Sequence, residues 1–406
     1  MKKYWKFTAT IIVIILSIGS FYINAARSAE HFPEFVIHTI SGDVQEIERL
    51  VLDGSYVDTS SQDYVSTIIK ITAEGSTYNG RSFLDKIIGQ PPTLIKDLQE
   101  EYRTFMRGKY SSIDQYFENQ QFLAYADVSN QHGSLRSRDF KFNISLLNKN
   151  DNTNYSFTVD VPDNEKLDYI FIQDVQMVEN VLYLITRNSI ASPDRLFNEE
   201  HIYTIDIVNQ KISNHEAIFQ VAKGKSNTQT HISLIGSSPT KASQHLVFQI
   251  TEEEVIEEAE STRVKDSTQK IISYNLTTKE KIDINVPDMN SEENQLSLID
   301  DSILYFTKLD GQELIVTTYS LVDKQVGKVF KLEFSGEKGE ERFPLLTVKD
   351  GKFYAATSQI KSIINTVVIV ADVTTGKTLF KGQLAIKDST QKKGSFELYL
   401  HELLVK

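Results

Sequence analysis

Thr318-Tyr319-Ser320-Leu321-Val322-Asp323-Lys324-Gln325-Val326-Gly327-Lys328-Val329 reads as a strand, a tight polar turn and a return strand. The phrase recurs. Ile205-Asp206-Ile207-Val208-Asn209-Gln210-Lys211 is one copy, Tyr274-Asn275-Leu276-Thr277-Thr278-Lys279-Glu280 a second, and Ala371-Asp372-Val373-Thr374-Thr375-Gly376-Lys377 a third. Ser145-Leu146-Leu147-Asn148-Lys149-Asn150 is a weaker fourth. One β-hairpin is therefore used about five times along the chain.

Working outward, an apolar segment with an aromatic residue precedes each of the four clearer copies. These are Val181–Thr186, His245–Ile250, Ile303–Thr307 and Lys352–Thr357. A further strand stands before three of them, at Tyr169–Val175, Leu296–Ile299 and Phe343–Val348, and an outer strand follows each turn. The unit is four antiparallel strands repeating every 45 to 70 residues or so. That is the pattern of a propeller blade. Its inner strands read as near-continuous apolar runs because neighbouring blades cover both faces, and stacking protects the edges. Phe35–Ile40, Ile47–Leu52 and Tyr64–Thr72, punctuated by Gly42-Asp43 and Asp53-Gly54, are expected to supply another unit. Phe396–Val405 is expected to close the ring with those N-terminal strands. The expected fold is all-β, a six- to seven-bladed β-propeller over 35–406. Two stacked β-sandwich domains are the competing architecture.

Ala371-Asp372-Val373-Thr374-Thr375-Gly376-Lys377-Thr378-Leu379-Phe380 resembles the repeat of quinoprotein-like β-propellers. Those end a strand in Asp, turn through Thr-Gly-Lys and continue with an aliphatic and an aromatic residue; Phe380 stands where a tryptophan often closes the repeat. The resemblance implies a propeller. It brings no quinone site and no catalytic residue.

The chain has 406 residues, 40% hydrophobic, enough for a large core. Its net charge of −12 disfavours nucleic acid as a partner. It has no cysteine, which excludes disulfides, thiolate metal sites and a Cys nucleophile. Lys2, Lys3 and Lys6 precede an apolar run from Phe7 to Ile23, about 26 Å of helix against a bilayer core of about 30 Å. Tyr4 and Trp5 flank one end and Tyr22 the other. A cleaved signal peptide needs small residues at −3 and −1, and Ile23/Ala25, Asn24/Ala26 and Arg27/Ala29 serve poorly. The expectation is an uncleaved transmembrane signal anchor at 1–26, a tether at 27–34, and the remainder extracytoplasmic. A cleaved signal peptide and a buried N-terminal core helix are the other readings of the run.

One helical insertion is expected at about 82–108. Pro91 and Pro92 precede it, Thr93 is placed to cap it, Leu94, Ile95, Leu98, Tyr102, Phe105 and Met106 recur at helical spacing, and Gly108 ends it. Its apolar face is expected to pack on the β domain.

Two segments read as long loops, Arg187–Glu200 and Thr251–Asp266, while the hairpin turns are short. Long loops on a rigid scaffold commonly carry binding, so their face is the candidate functional face. Arg187 and Arg195 lie in the first. The second carries Glu252, Glu253, Glu254, Glu257, Glu258 and Glu260, of which Glu253, Glu257 and Glu260 would share one side of a helix. Such a cluster attracts a cation or a basic partner, or is simply a solvated acidic loop; it lacks calcium-loop spacing. The histidines show no zinc spacing, Lys223-Gly224-Lys225-Ser226 has Phe219 where a phosphate loop needs its first glycine, and no Gly-x-Ser-x-Gly elbow occurs. No cofactor, metal or catalytic residue is therefore assigned. The reading is a membrane-anchored binding scaffold or regulator at the cell envelope, taking an envelope protein or ligand on its long-loop face. The alternatives are a hydrolase or lyase acting on glycan through channel carboxylates, and a sensor domain.

Overall fold

The computed structural model describes residues 5–29, 32–59, 66–79, 91–132, 137–191, 196–220, 228–235, 242–257, 262–286, 295–334, 344–357, 359–361, 367–387 and 396–406. Helix α1 is Trp5–Ala29. Strands β1 (Phe35–Gly42), β2 (Leu50–Asp58), β3 (Ser66–Thr72) and β4 (Gly75–Asn79) follow, then helices α2 (Thr93–Glu101) and α3 (Arg103–Met106). The remaining strands are β5 (Tyr116–Glu118), β6 (Phe122–His132), β7 (Ser137–Asn148), β8 (Thr153–Asp160), β9 (Leu167–Val178), β10 (Val181–Ala191), β11 (Leu196–Asp206), β12 (Lys211–Gln220), β13 (Thr228–Ile235), β14 (His245–Glu257), β15 (Thr262–Asn275), β16 (Lys281–Ile284), β17 (Gln295–Asp300), β18 (Ile303–Asp310), β19 (Glu313–Ser320), β20 (Gln325–Glu333), β21 (Leu345–Lys349), β22 (Lys352–Ala356), β23 (Gln359–Lys361), β24 (Val367–Asp372), β25 (Thr378–Ile386) and β26 (Phe396–Val405).

These strands form six antiparallel sheets, each built on a four-stranded block of the propeller-blade type. The chain divides into two compact units, one of 1–90, 309–316 and 329–406, the other of 91–308 and 317–328. The second unit holds the meanders β5-β6-β7-β8, β9-β10-β11-β12 and β13-β14-β15-β16. Its sheets are covered on both faces. Leu182, Leu184 and Tyr203 of the β9–β12 sheet pack on Phe142 and Ile144, while Ile185 and Ile202 on the opposite face pack on Phe248. Val247 and Ile271 then pack on Leu304, Phe306 and Tyr319. This double burial is why the inner strands carry no regular polar alternation. The meander β17-β18-β19-β20 takes residues from both ranges.

The first unit holds two five-stranded sheets. The expected N-terminal unit does not stand alone: β1 joins the edge of β21-β22-β24-β25, and β2-β3-β4 pair through β2 with β26. The pairing of the C-terminal strand with N-terminal ones is as expected, with Leu52 opposite Leu403 and Tyr56 opposite Leu398. Asp53-Gly54 is not a turn. It lies inside β2 at a register shift, and a Cβ on Gly54 would stand 2.3 Å from the Tyr399 carbonyl oxygen. The glycine is there for close approach of two backbones.

The repeated phrase has one physical basis. In four copies a side-chain oxygen caps the turn: Asp206 Oδ1 accepts from Asn209 N at 2.9 Å, Asn275 Oδ1 from Thr278 N at 2.8 Å, Ser320 Oγ from Asp323 N at 3.1 Å, and Asp372 Oδ1 from Thr375 N at 2.6 Å. In the weak copy the cap is Asn148, accepting from Asn150 N at 3.0 Å. Four residues beyond each cap the backbone is left-handed, at Asn152 (φ 58), Gln210 (51), Lys279 (61), Lys324 (53) and Gly376 (72). A side chain there costs roughly 1–2 kcal/mol. Gln210→Gly, at an exposed site, is therefore expected to stabilise the protein by about 0.5–1 kcal/mol in urea unfolding. Gly376→Ala is expected to do the reverse by at least about 1–3 kcal/mol, because its Cβ would also stand 2.5 Å from Phe330 Cβ.

The helical insertion begins at Thr93, one residue after an N-cap at Pro92, so Thr93 is inside the helix rather than its cap. Tyr102 (φ −116, ψ 49) divides it into α2 and α3. Ile95, Leu98, Phe105 and Met106 pack on Tyr116, Leu123, Tyr125 and Leu147, so the apolar face covers the sheet as expected. The part of the insertion at 82–90 lies outside the described residues.

The expected transmembrane span is not supported. Among the described residues no helix is long and apolar enough to cross a membrane. The side chains of α1 beyond Ser20 lie outside the described residues.

Candidate functional site

The two supposed long loops are strands for most of their length. Arg187–Ala191 and Leu196–Glu200 extend the β10–β11 ladder, with Arg187 opposite Glu200 and Asn188 opposite Glu199. Thr251–Glu257 and Thr262–Asp266 extend β14–β15 in the same way. Backbone pairing across the hairpin satisfies groups that a loop would leave to water.

This geometry disperses the acidic cluster. Glu253 and Glu257 lie on a strand rather than a helix, with a register shift between Glu254 and Val255. Glu253 Oε2 is 3.7 Å from His231 Nε2, Glu254 pairs with Lys265 at 2.8 Å, and Glu252 with Lys270 at 4.0 Å. These are cross-strand pairs at exposed or partly exposed positions. The side chain of Glu257, and all of Arg195 and Glu260, lie outside the described residues.

Arg187 is built into the structure. Its Nε donates to Glu200 Oε1 at 2.7 Å, its Nη2 donates to the Ile232 carbonyl of β13, and its guanidinium lies 5.8 Å over the Phe171 ring. Glu200 also accepts from Gln173 Nε2, and its side chain is only 1% exposed. Burial pushes the Glu200 carboxyl above the usual glutamate range, against the pull of Arg187 and Gln173. A cavity of about 120 Å³ opens beside the pair, lined by Arg187, Asn198, Glu200 and Thr230–Ser233. With its charge matched and two of its nitrogens held, Arg187 ties β10 to β13 more than it awaits a ligand.

The residues missed from sequence lie on the opposite face of the same strands. Period-two alternation puts Thr186 and Asn188 of β10 with Glu199, His201 and Tyr203 of β11. Glu199 Oε1 and His201 Nδ1 are 2.5 Å apart, and His201 Nε2 is 3.1 Å from His215 Nδ1 of β12. Gln220 Nε2 donates to Glu199 Oε2 at 3.2 Å. Asn188 Nδ2 donates to the Tyr203 hydroxyl at 3.1 Å and its Oδ1 accepts from Thr186 Oγ1 at 2.9 Å. The His201, Tyr203 and His215 rings stack, with centroids 4.6 to 5.8 Å apart. Burial raises the Tyr203 phenol well above its ordinary range.

These groups line a pocket of about 250 Å³ whose other wall is the segment before β9, with Pro162, Asp163, Lys166 and Leu167. Lys166 Nζ donates to Asp163 Oδ1 at 3.1 Å, and that bond, with the lysine charge, holds the Asp163 carboxyl below its usual range. The lining is a set of mutually fixed donors and acceptors over apolar Leu167, Ile190 and Ala217. It can orient a small polar molecule and exchange a proton with it. Among the described residues no group of three or more His, Asp or Glu is arranged to hold a metal ion. The sequence signal was Glu199-x-His201: two polar residues on one face of a strand, next to a β12 strand that brings His215 opposite Tyr203.

No protein-family profile matches the chain, and no characterised protein matches it by sequence. Solved structures of β-propeller type are similar at the level of fold. Apo AztD from Citrobacter koseri has a TM-score of 0.35 and 9% identity, covering 87% of this chain and 98% of its own. The polysaccharide lyase Uly1 has a TM-score of 0.33 and 9% identity over 70% of this chain and 57% of the lyase. Porphyromonas gingivalis dipeptidyl peptidase 4 has a TM-score of 0.36 and 9% identity over 87% of this chain, which spans 47% of the peptidase. None of the three bears on the chemistry of the pocket.

Proposed function

We infer that this is a binding protein of the cell envelope, held to the membrane by its N-terminal segment, with its β-sheets outside the cytoplasm. The observation that carries the binding reading is the pocket of about 250 Å³, whose polar groups are fixed by one another on a sheet buried on both faces. Preorganised groups of this kind lose little on binding. The tether rests on Lys2, Lys3 and Lys6 before the apolar run Phe7–Ile23. The test has two arms. External protease should digest the folded domain in intact cells, and deletion of residues 1–26 should release it; cytoplasmic protection sinks the placement. Purified protein should gain thermal stability from at least one member of a panel of envelope sugars, amino acids and short peptides, and His215→Ala should abolish that gain. A panel with no hit, or hits unchanged by the substitution, sinks the pocket.

A second reading is a hydrolase or lyase acting on envelope glycan. Glu199 and Asp163 both line the pocket beside two imidazoles, which is the raw material of acid–base catalysis. New reducing ends or unsaturated products from cell-wall glycan, lost in Glu199→Gln, would establish it.

A further inference from the structure

The Glu199–His201–His215 chain has a direction. Glu199 Oε2 accepts from Gln220, and its Oε1 faces His201 Nδ1 at 2.5 Å. A carboxylate only accepts, so His201 Nδ1 carries the hydrogen. In the neutral imidazole His201 Nε2 is then an acceptor. His215 Nδ1, 3.1 Å away, must donate to it. That leaves the lone pair of the neutral His215 ring on Nε2, and this atom makes no further hydrogen bond among the described residues. The tautomers follow from the bonding rather than from seen hydrogens.

One proton inverts this end of the chain. If it enters at His215 Nε2, that atom becomes a donor. If it enters at His201 Nε2, the bond between the rings reverses and His215 Nε2 again carries the hydrogen. The charged groups around the chain are Glu199, and Asp163 with its partner Lys166 across the pocket. Tyr203, the remaining titratable group, stays neutral. With the imidazoles neutral, the pocket has a formal charge of −1 (Glu199, Asp163 and Lys166 together) and an acceptor at its open nitrogen.

We propose that the pocket takes a ligand bearing an ammonium group, which donates to His215 Nε2, and that protons compete with it for that atom. This rests on the pocket being a binding site and names what it binds. An ammonium matches the formal charge and supplies the donor the neutral chain lacks. Protonation places a like charge next to it and removes the acceptor. Carboxylate ligands meet Glu199 and Asp163 instead.

The full-length protein in detergent would be titrated with ethanolamine, choline and ethylene glycol by ligand-observed NMR. All three carry a hydroxyl; ethanolamine adds N–H donors and charge, choline adds charge without N–H, and ethylene glycol adds neither. Ethanolamine should bind at least about tenfold more tightly than the other two at neutral pH, a difference of about 1.4 kcal/mol. Its affinity should fall about tenfold per pH unit once the histidine chain takes up its proton. His215→Gln should leave the protein folded by circular dichroism and remove that pH dependence. Equal binding of choline shows that no ammonium N–H is needed and overturns the inference, as does affinity rising in acid. Equal binding of ethylene glycol also overturns it while leaving the pocket a binding site. Binding of none of the three overturns it as well.

Discussion

Deleting residues 396–406 should leave the first unit unfolded. β26 lies between β2 and β23, and it brings buried Phe396, Leu398, Leu400 and Leu403 to that unit's core. Each such side chain contributes about 1.5–3 kcal/mol, so four together contribute about 6–12 kcal/mol. A domain's whole stability is of that order, about 5–15 kcal/mol. The deletion also strips β2 of its ladder from Leu50 to Asp58. Limited proteolysis and circular dichroism would check it: rapid cleavage within 35–79 and 344–387 is expected, and a truncated chain as resistant as the parent would refute the seam. Gly54→Val tests the same seam with one side chain. Its branched Cβ must displace the Tyr399 carbonyl now 2.3 Å from that position, and a loss of about 3 kcal/mol is expected.

Arg187→Ala should destabilise the second unit by about 3–5 kcal/mol, the usual consequence of leaving one member of a buried pair alone. Glu200, with a 1% exposed side chain, would keep only the Gln173 bond. The pH dependence has a definite sign. Burial already lifts the Glu200 carboxyl above its ordinary 4.5, so the folded state holds that proton more tightly than the unfolded chain. Stability from this group is therefore present in acid and lost as pH rises above about 4.5 through the raised value. Removing Arg187 takes away a restraint on that rise. The deficit of the variant relative to the parent should be largest at neutral pH and shrink in acid. Urea unfolding at several pH values reads this out, and a deficit that grows in acid would contradict it. Arg187→Lys keeps the charge but not the fork reaching both Glu200 and Ile232, so it should fall between the two.

The architecture was legible because turn chemistry repeats even where sequence does not. Asp206, Asn275, Ser320 and Asp372 lie in the four repeated phrases, and each caps its turn. The weak copy, Ser145–Asn150, is harder to read because its cap, Asn148, follows the apolar Leu146 and Leu147 of β7. Gly54 was misread because glycine in sequence marks a turn and a close approach alike. The loops were misread for a related reason. Arg187, Glu199, Glu200, Glu252 and Glu253 are polar, and polar runs suggest loops, yet here the charges pair across strands or sit buried between sheets. The pocket was out of reach for a stronger reason. His201 and His215 are fourteen residues apart and meet only through the register of β11 on β12. Nothing in a list of eight histidines distinguishes that pair.

The pairing of Leu52 with Leu403 has a consequence for biosynthesis. The partners are separated by about 350 residues, which a ribosome adds in roughly 20–70 s at about 5–20 residues per second. Through that interval β2 waits with one edge unsatisfied, and no shorter nascent chain can complete its sheet. Premature termination anywhere upstream of Phe396 thus yields a product with an open edge for proteases, while a chain that includes β26 covers that edge.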